Sequence, residues 1–217
     1  MILLKDIKKS FGKIEVLKGV SFSLAEAEHT ALLGKSGSGK STLLYLLGGL
    51  DKQTSGNLLI GDKDLSKLND EQLAEFRNKN IGFVFQFHFL LPSITSLENI
   101  HLPIKISNRS INDYQELITM LAKYLGVEHC LNKYPYQLSG GEQQRVNIIR
   151  ALILKPRVLL CDEPTGNLDR KNSDKVINLL KQLSTEFRST LIVVTHDHVV
   201  ADSFPRKITI EDGQVIG

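Results

Sequence analysis

The sequence predicts an α/β domain with a mainly parallel core sheet, an antiparallel β region at its N-terminus and a helical region inserted into the core. Three observations point there. Short apolar runs alternate with helix-forming segments, as βαβ units require. One of these runs, Thr30-Ala31-Leu32-Leu33, leads straight into a glycine-rich loop and then a helix over residues 41–50. From residue 87 to about residue 155 the β signal stops, and residues 111–125 and 140–154 read as helices.

In chain order, the first 25 residues carry Val16, Val20, Phe22 and Leu24 with Gly12 and Gly19 as punctuation, the pattern of short antiparallel strands. Three later runs, residues 81–85, 158–161 and 191–194, read as buried core strands. Each ends at a polar residue: Gln86, Asp162 and His196. Ligands of open parallel sheets gather at the carboxyl ends of the strands, so these residues are site candidates. The whole chain, residues 1–217, reads as one domain, with the helical subdomain at about 87–155.

Composition narrows the function classes. The chain is 41% hydrophobic and 24% charged, which supports an ordinary core and argues against disorder. Its net charge of +3 is small and spread along the chain, so no nucleic-acid partner is expected. No apolar run approaches the ~20 residues that span a bilayer. The opening Met1-Ile2-Leu3-Leu4-Lys5-Asp6 lacks a basic stretch followed by an apolar one, so no signal peptide is expected. Cys161 lies in an apolar run and reads as a small buried hydrophobe, Cys130 shows no metal-ligand spacing, and no disulfide is expected in the cytosol. His29, His88, His101, His129 and His198 also show no ligand spacing and read as surface or locally bonded groups.

Gly34-Lys35-Ser36-Gly37-Ser38-Gly39-Lys40-Ser41, followed by Thr42, fits the phosphate-binding P-loop in the required context of strand, loop and helix. Glycines let successive backbone N–H groups point into one concavity, and the helix N-terminus adds partial positive charge. Lys40 can reach the β- and γ-phosphates of a nucleotide, and the Ser41 hydroxyl can ligate Mg²⁺. A second element, Val158-Leu159-Leu160-Cys161-Asp162-Glu163, delivers two carboxylates to a strand end. Asp162 is placed to hold Mg²⁺ through water, and Glu163 to orient the water that attacks the γ-phosphate. An apolar strand ending in Asp-Glu means little by itself; the P-loop upstream gives it weight.

Leu138-Ser139-Gly140-Gly141-Glu142-Gln143-Gln144-Arg145 resembles the signature sequence of the ABC ATPases. With Gln86, Gly166-Asn167-Leu168-Asp169 and His196 in the same order, the resemblance covers essentially the whole chain. It implies a P-loop NTPase fold that binds ATP and Mg²⁺, and a partnership between two copies of the chain. In that arrangement Ser139, Gly140, Gly141 and Glu142 of one copy close over the P-loop of the other. The resemblance further implies that Gln86 touches Mg²⁺ and the attacking water, and that His196 contacts the γ-phosphate. It puts Asp169 at the dimer seam and Phe11 against the adenine, in a place where the family usually has Tyr; the alternative for Phe11 is a core position. Glu26-Ala27-Glu28-His29 and Asn147 depart from the family pattern, the first at a turn and the second in the signature helix.

Within the family, the segment from Phe85 to Pro92 and the stretch Leu97-Glu98-Asn99-Ile100 are similar to the ATPases that drive lipoprotein release. Related groups power macrolide-type exporters and a cell-division complex. The expected partners are integral membrane permease subunits and a second copy of the chain, on the cytoplasmic face of the inner membrane. Two alternatives are weaker: a soluble ABC ATPase usually carries two cassettes or large insertions, and a GTPase would need an Asn-Lys-x-Asp stretch that this sequence lacks.

Overall fold

The computed structural model describes residues 1–86, 89–166 and 170–216. Phe87, His88 and the Asn167-Leu168-Asp169 stretch lie outside them. Two sheets organise the chain. The first is antiparallel, with strands β1 (Ile2–Phe11) and β2 (Ile14–Leu24) as a long hairpin, then β4 (Ser55–Ile60) and β5 (Lys63–Asp64), in the order β2-β1-β4-β5. The hairpin strands are longer than the short strands expected, because bulges between Leu4 and Ile7 and between Lys9 and Ser10 let them curve without breaking.

The second sheet is mainly parallel. It contains β3 (His29–Leu33), β6 (Ile81–Val84), β7 (Val158–Asp162), β8 (Thr190–Thr195), β9 (Arg206–Glu211) and β10 (Gln214–Ile216), in the order β10-β9-β3-β8-β7-β6. Only β10 runs antiparallel to its neighbour. Its central strands are apolar on both faces because both are covered. Leu32, Leu160, Ile192 and Val194 pack toward the antiparallel sheet and helix α1 (Lys40–Leu47). Their neighbours Ala31, Leu159, Cys161, Leu191 and Val193 pack toward the helical side. This period of two turns a continuous apolar run into two separate interfaces.

The remaining helices are α2 (Asp70–Asn80), α3 (Ser96–Ile106), α4 (Gln115–Leu125), α5 (Gly140–Leu152), α6 (Arg170–Glu186) and α7 (His198–Asp202). Among the described residues none is long and apolar enough to cross a membrane. Helix α3 begins with a reciprocal cap, the Thr95 side chain accepting from Glu98 N–H and Glu98 accepting from Thr95 N–H. The sequence departure at Glu26-Ala27-Glu28-His29 resolves into a turn in which Ala27 takes the left-handed conformation (φ 56°) and Glu28 bonds Ala25 N–H and Arg206.

Asn99 of α3 is fully buried, and its side chain organises the segment that follows Gln86. It accepts from Leu91 N–H (2.7 Å) and donates to the carbonyls of Leu91 (3.1 Å), Ile94 (3.3 Å) and Thr95 (2.9 Å). A buried polar group that loses its partner costs about 1–3 kcal/mol. Asn99→Leu should therefore lower stability by that amount in urea unfolding, with local proteolysis at residues 89–95 increasing before global unfolding. A variant as stable as the parent and equally resistant would show that the segment is held by other means.

Candidate functional site

Strands β3, β6, β7 and β8 end on the same edge, and the loops leaving them bound a cavity of ≈ 960 Å³. Gly34, Lys35, Ser36, Gly37, Gly39, Lys40, Ser41 and Thr42 line one side; Gln86, Glu163 and His196 face them from three other strand ends. The residues singled out at these strand ends are thus gathered at one place.

Two glycines of the loop are fixed by close approach. A Cβ at Gly34 would stand 2.2 Å from the Ile210 carbonyl oxygen of β9. Gly39 has φ 100°, and a Cβ there would come within 2.8 Å of Leu17. Gly39 caps α1 in this left-handed conformation, which turns the first-turn N–H groups of the helix toward the loop concavity. The Ser38 hydroxyl is buried with no hydrogen-bond partner, although its backbone N–H bonds Lys35 O at 3.3 Å.

Lys40 is buried at the base of the loop, its ammonium donating to the carbonyls of Gly34 (2.8 Å) and Lys35 (2.7 Å). Burial pulls its pKa down, while the carboxylates of Glu163 and Asp162 work against that. Ser41 Oγ donates to Asp162 Oδ1 at 3.1 Å, so the hydroxyl and carboxylate expected at Mg²⁺ already converge. Tyr45 lies close to the same carboxylate, a neighbour the sequence gave no sign of: burial, with the Asp162 charge adding, raises the phenol's pKa. Burial raises the Asp162 pKa, with the Glu163 charge adding, and Ser41, Lys40 and Tyr45 opposing.

Glu163 has φ 45°, a left-handed conformation that is costly for a residue with a branched carboxylate arm. Its N–H is held by Val194 O at 3.1 Å, and its Oε1 meets His196 Nδ1 at 2.7 Å. As the carboxylate can only accept, the Nδ1 carries the proton, leaving Nε2 directed elsewhere. His198, read as a surface or locally bonded group, is exposed and also lines the cavity.

The signature segment stands apart. Ser139, Gly140, Gly141 and Glu142 line no part of this cavity. Ser139 caps α5: its Oγ accepts from Glu142 N–H at 3.3 Å, while Glu142 Oε2 accepts from Ser139 N–H (2.8 Å) and Oγ (2.7 Å). These bonds from Ser139, with one from His129, hold the Glu142 carboxyl down at about 2. Further along, α5 reaches the cavity's loops. Gln144 donates to Pro164 O (3.0 Å), Asn147 to Phe85 O (3.4 Å) and Arg150 to Phe89 O (2.8 Å). Asn147, noted from sequence only as a departure, therefore ties the signature helix to the Gln86 segment.

Three further expectations are settled or set aside. Phe11 is 52% exposed at the hairpin tip, so it is no core residue; it does not line the cavity, and Lys9 Nζ stands 4.6 Å from its ring centroid. Asp169 lies outside the described residues. His129, read as a surface or locally bonded group, is exposed and meets Glu142 Oε1 at 2.8 Å; the sequence, which shows no ligand spacing at His129 or Cys130, gave no sign that Glu142 would lie beside both.

Residues 17–166 match the ABC transporter family. The chain is 44% identical over 211 residues to the lipoprotein-releasing system ATP-binding protein LolD of Cytophaga hutchinsonii, covering 97% of this chain and 96% of that one. It is 46% identical over 215 residues to LolD of Geobacter metallireducens, with coverage of 97% and 96%. Among solved structures, a dimeric post-hydrolysis state of the ATP-binding cassette MJ0796 bound to ADP and Pi superposes with a TM-score of 0.92 at 40% identity, covering 100% of this chain and 97% of that one.

The buried carboxylate gives a stability test. A carboxyl whose pKa is raised on folding destabilises the fold where it is ionised, and ceases to as the pH falls through that raised value. Asp162→Asn keeps an acceptor for Ser41 and removes the charge. Differential scanning calorimetry of the nucleotide-free chain should show a midpoint raised at neutral pH, by about 2–4 °C for each kcal/mol of burial cost removed at this size. The gain should shrink on acidification; a variant less stable at neutral pH would contradict the assignment of burial as the dominant effect.

Proposed function

The chain belongs to the ABC transporter family, and from that premise we propose that it is the ATP-binding, ATP-hydrolysing subunit of a transporter that releases lipoproteins from the bacterial inner membrane. The observation that carries the ATPase reading is the convergence of the P-loop with Asp162, Glu163, Gln86 and His196 around one cavity. The cargo rests on the LolD relatives.

The residues present suit a Mg-nucleotide. Ser41 with Asp162 offers the hard oxygen donors that Mg²⁺ prefers. Bound there, Mg²⁺ would neutralise developing charge on the phosphates. The chain's own groups do the rest. The N–H groups of the loop and of the first turn of α1 hold phosphate oxygens in place of water. Lys40 releases its two carbonyls and turns its ammonium to the β- and γ-phosphates. Glu163, positioned by Val194, accepts a hydrogen bond from the attacking water and orients it; His196 turns its Nδ1–H from Glu163 to an oxygen of the γ-phosphate. Gln86 completes the ring of polar groups around that water.

Ser139, Gly140 and Gly141 would serve the second copy's P-loop. A Cβ at Gly140 would meet nothing within 4 Å, so no packing inside this chain demands glycine there. An exposed helix start without side-chain cover suits a phosphate approaching from outside. The dimeric relative supports a pairing of two copies; in the arrangement proposed here they meet head to tail, with Asp169 at the seam and Phe11 on the adenine.

Two variants separate chemistry from assembly. Glu163→Gln should bind ATP as the parent does, accumulate as an ATP-bound dimer and lose at least about 100-fold in phosphate release. Ser139→Arg should bind ATP as a monomer and fail in both dimerisation and turnover, measured by light scattering and phosphate release. A Glu163→Gln chain that turns over normally would remove Glu163 from the reaction; an undiminished, active Ser139→Arg dimer would remove the composite site.

The membrane partner would dock on the helical side. A groove of ≈ 340 Å³ lies between Phe83, Phe85, Phe89, Leu102, Pro103 and Ile106. Phe89 is 59% and Leu91 48% exposed, whereas Leu90 packs against the core. A charge at Leu90 would thus perturb folding, and the exposed Leu91 is the probe of this contact. Leu91→Asp should leave ATP hydrolysis by the isolated chain unchanged and abolish co-purification with membrane subunits from detergent extract. Depletion of the protein in cells should strand outer-membrane lipoproteins in the inner membrane; normal sorting would discard that cargo and favour an exporter or cell-division role.

A further inference from the structure

Among the described residues, one cluster of three ligating side chains lies outside the nucleotide cavity, on the flank of the signature helix. His129 and Cys130 lie on the short 3₁₀ turn Glu128–Cys130, and Glu142 on the first turn of α5. His129 Nε2 stands 2.8 Å from Glu142 Oε1; Cys130 Sγ stands 3.3 Å from His129 Nε2 and 3.4 Å from Glu142 Oε1. We propose that these three side chains form a binding site for a divalent transition-metal cation of the zinc class, with water as its fourth ligand.

The geometry nearly meets what such a cation requires. With metal–ligand bonds of about 2.0–2.3 Å at tetrahedral angles, nitrogen, oxygen and sulfur ligands lie about 3.4–3.6 Å apart. Two of the three edges here need to widen by only a few tenths of an ångström, and the His129–Glu142 edge by about 0.6 Å. The donor set is borderline-soft: one imidazole, one thiolate and one carboxylate suit zinc and its neighbours, and a hard cation such as Mg²⁺ would be a poor match for the sulfur.

The two oxygens of Glu142 have separate duties. Oε2 completes the cap of α5 with Ser139, whereas Oε1 faces Cys130 and His129. A cation can therefore take Oε1 without dismantling the helix start. The Cys130 thiol now donates to Oε1; on binding, its proton leaves to solvent and both atoms turn to the metal. Thiolate and carboxylate together carry two negative charges, which balance a divalent cation against the neighbouring Lys133 and Arg145 and the positive end of the helix. Cys130 is buried, but the His129 side chain is 58% exposed and gives the cation a route from solvent.

The test uses the full chain without an affinity tag, free of nucleotide, titrated with Co²⁺ as an optical probe and with Zn²⁺ in a calorimeter. The proposal expects one equivalent of Co²⁺ to give a sulfur-to-cobalt charge-transfer band together with tetrahedral ligand-field absorption, and Zn²⁺ to displace it. Cys161 is wholly buried in the core sheet, so a thiolate band reports Cys130. Cys130→Ser should abolish the band and weaken Zn²⁺ binding by more than about tenfold, and His129→Ala, a change at an exposed side chain, should weaken it comparably. The proposal is overturned if saturating Co²⁺ gives no charge-transfer band. It is equally overturned if the folded His129→Ala chain binds Zn²⁺ as tightly as the parent, which would place the cation among Asp162, Glu163 and His196 instead.

Discussion

Parallel pairing obliges neighbouring strands to finish on the same edge of the sheet, and this obligation makes the site. Strand β3 lies between β8 and β9, with β7 beyond β8 and β6 at the margin. Residues separated by more than 100 positions, Ser41 and Asp162, consequently meet at hydrogen-bonding distance. The register that aligns Leu33 with Thr195, and Asp162 with Val194, also fixes the heights at which the loops leave the sheet. A slip of one residue in β7 would turn Asp162 to the other face and bury it among the helices. Packing on both faces prevents that slip, since Leu159 and Leu160 belong to opposite clusters.

At the end of that sheet the charged groups pair with polar neighbours. The Lys40 ammonium rests on two carbonyls, Asp162 on Ser41, and Glu163 on His196. These are partnerships that a phosphate-bearing ligand can take over one for one, so binding exchanges hydrogen bonds rather than exposing unpaired charge. The left-handed backbone of Glu163 fits the same logic. It is strained locally and held by Val194, which keeps the carboxylate aimed across the cavity whether or not its partner changes.

Much of this was legible in the sequence because it depends on local patterns. The P-loop, the apolar runs before Asp162 and His196, and the Ser139 cap followed by Glu142 each announce themselves within a few residues. Strands β4 and β5 did not, since six and two residues interrupted by glycine and charge carry too little periodicity. Helix α3 was also missed as a helix, its apolar pattern being broken by Pro103 and His101. The cluster of His129, Cys130 and Glu142 was invisible because its third member lies twelve residues from the second, across a turn whose path only the folded chain reveals. The sequence marked Asn147 only as a departure and gave no structural role to Gln144 or Arg150; the hydrogen bonds these three make to Phe85, Pro164 and Phe89 end on backbone carbonyls, which leave no signature in the partner's residue type.

That last feature has a consequence for how such a subunit can diversify. Among the described residues, the hydrogen bonds from helix α5 to Phe85, Phe89 and Pro164 end on main-chain oxygens. Every amino acid supplies that oxygen, so the side chains at the gripped positions are free to vary while the mechanical linkage is preserved. Phe89, half of whose surface faces outward, could be exchanged for a residue fitted to a different membrane protein without unhooking Arg150. The motor and its transmission are thereby uncoupled from the shape of the socket, and one cassette design can be refitted to many machines by changing only what the socket displays.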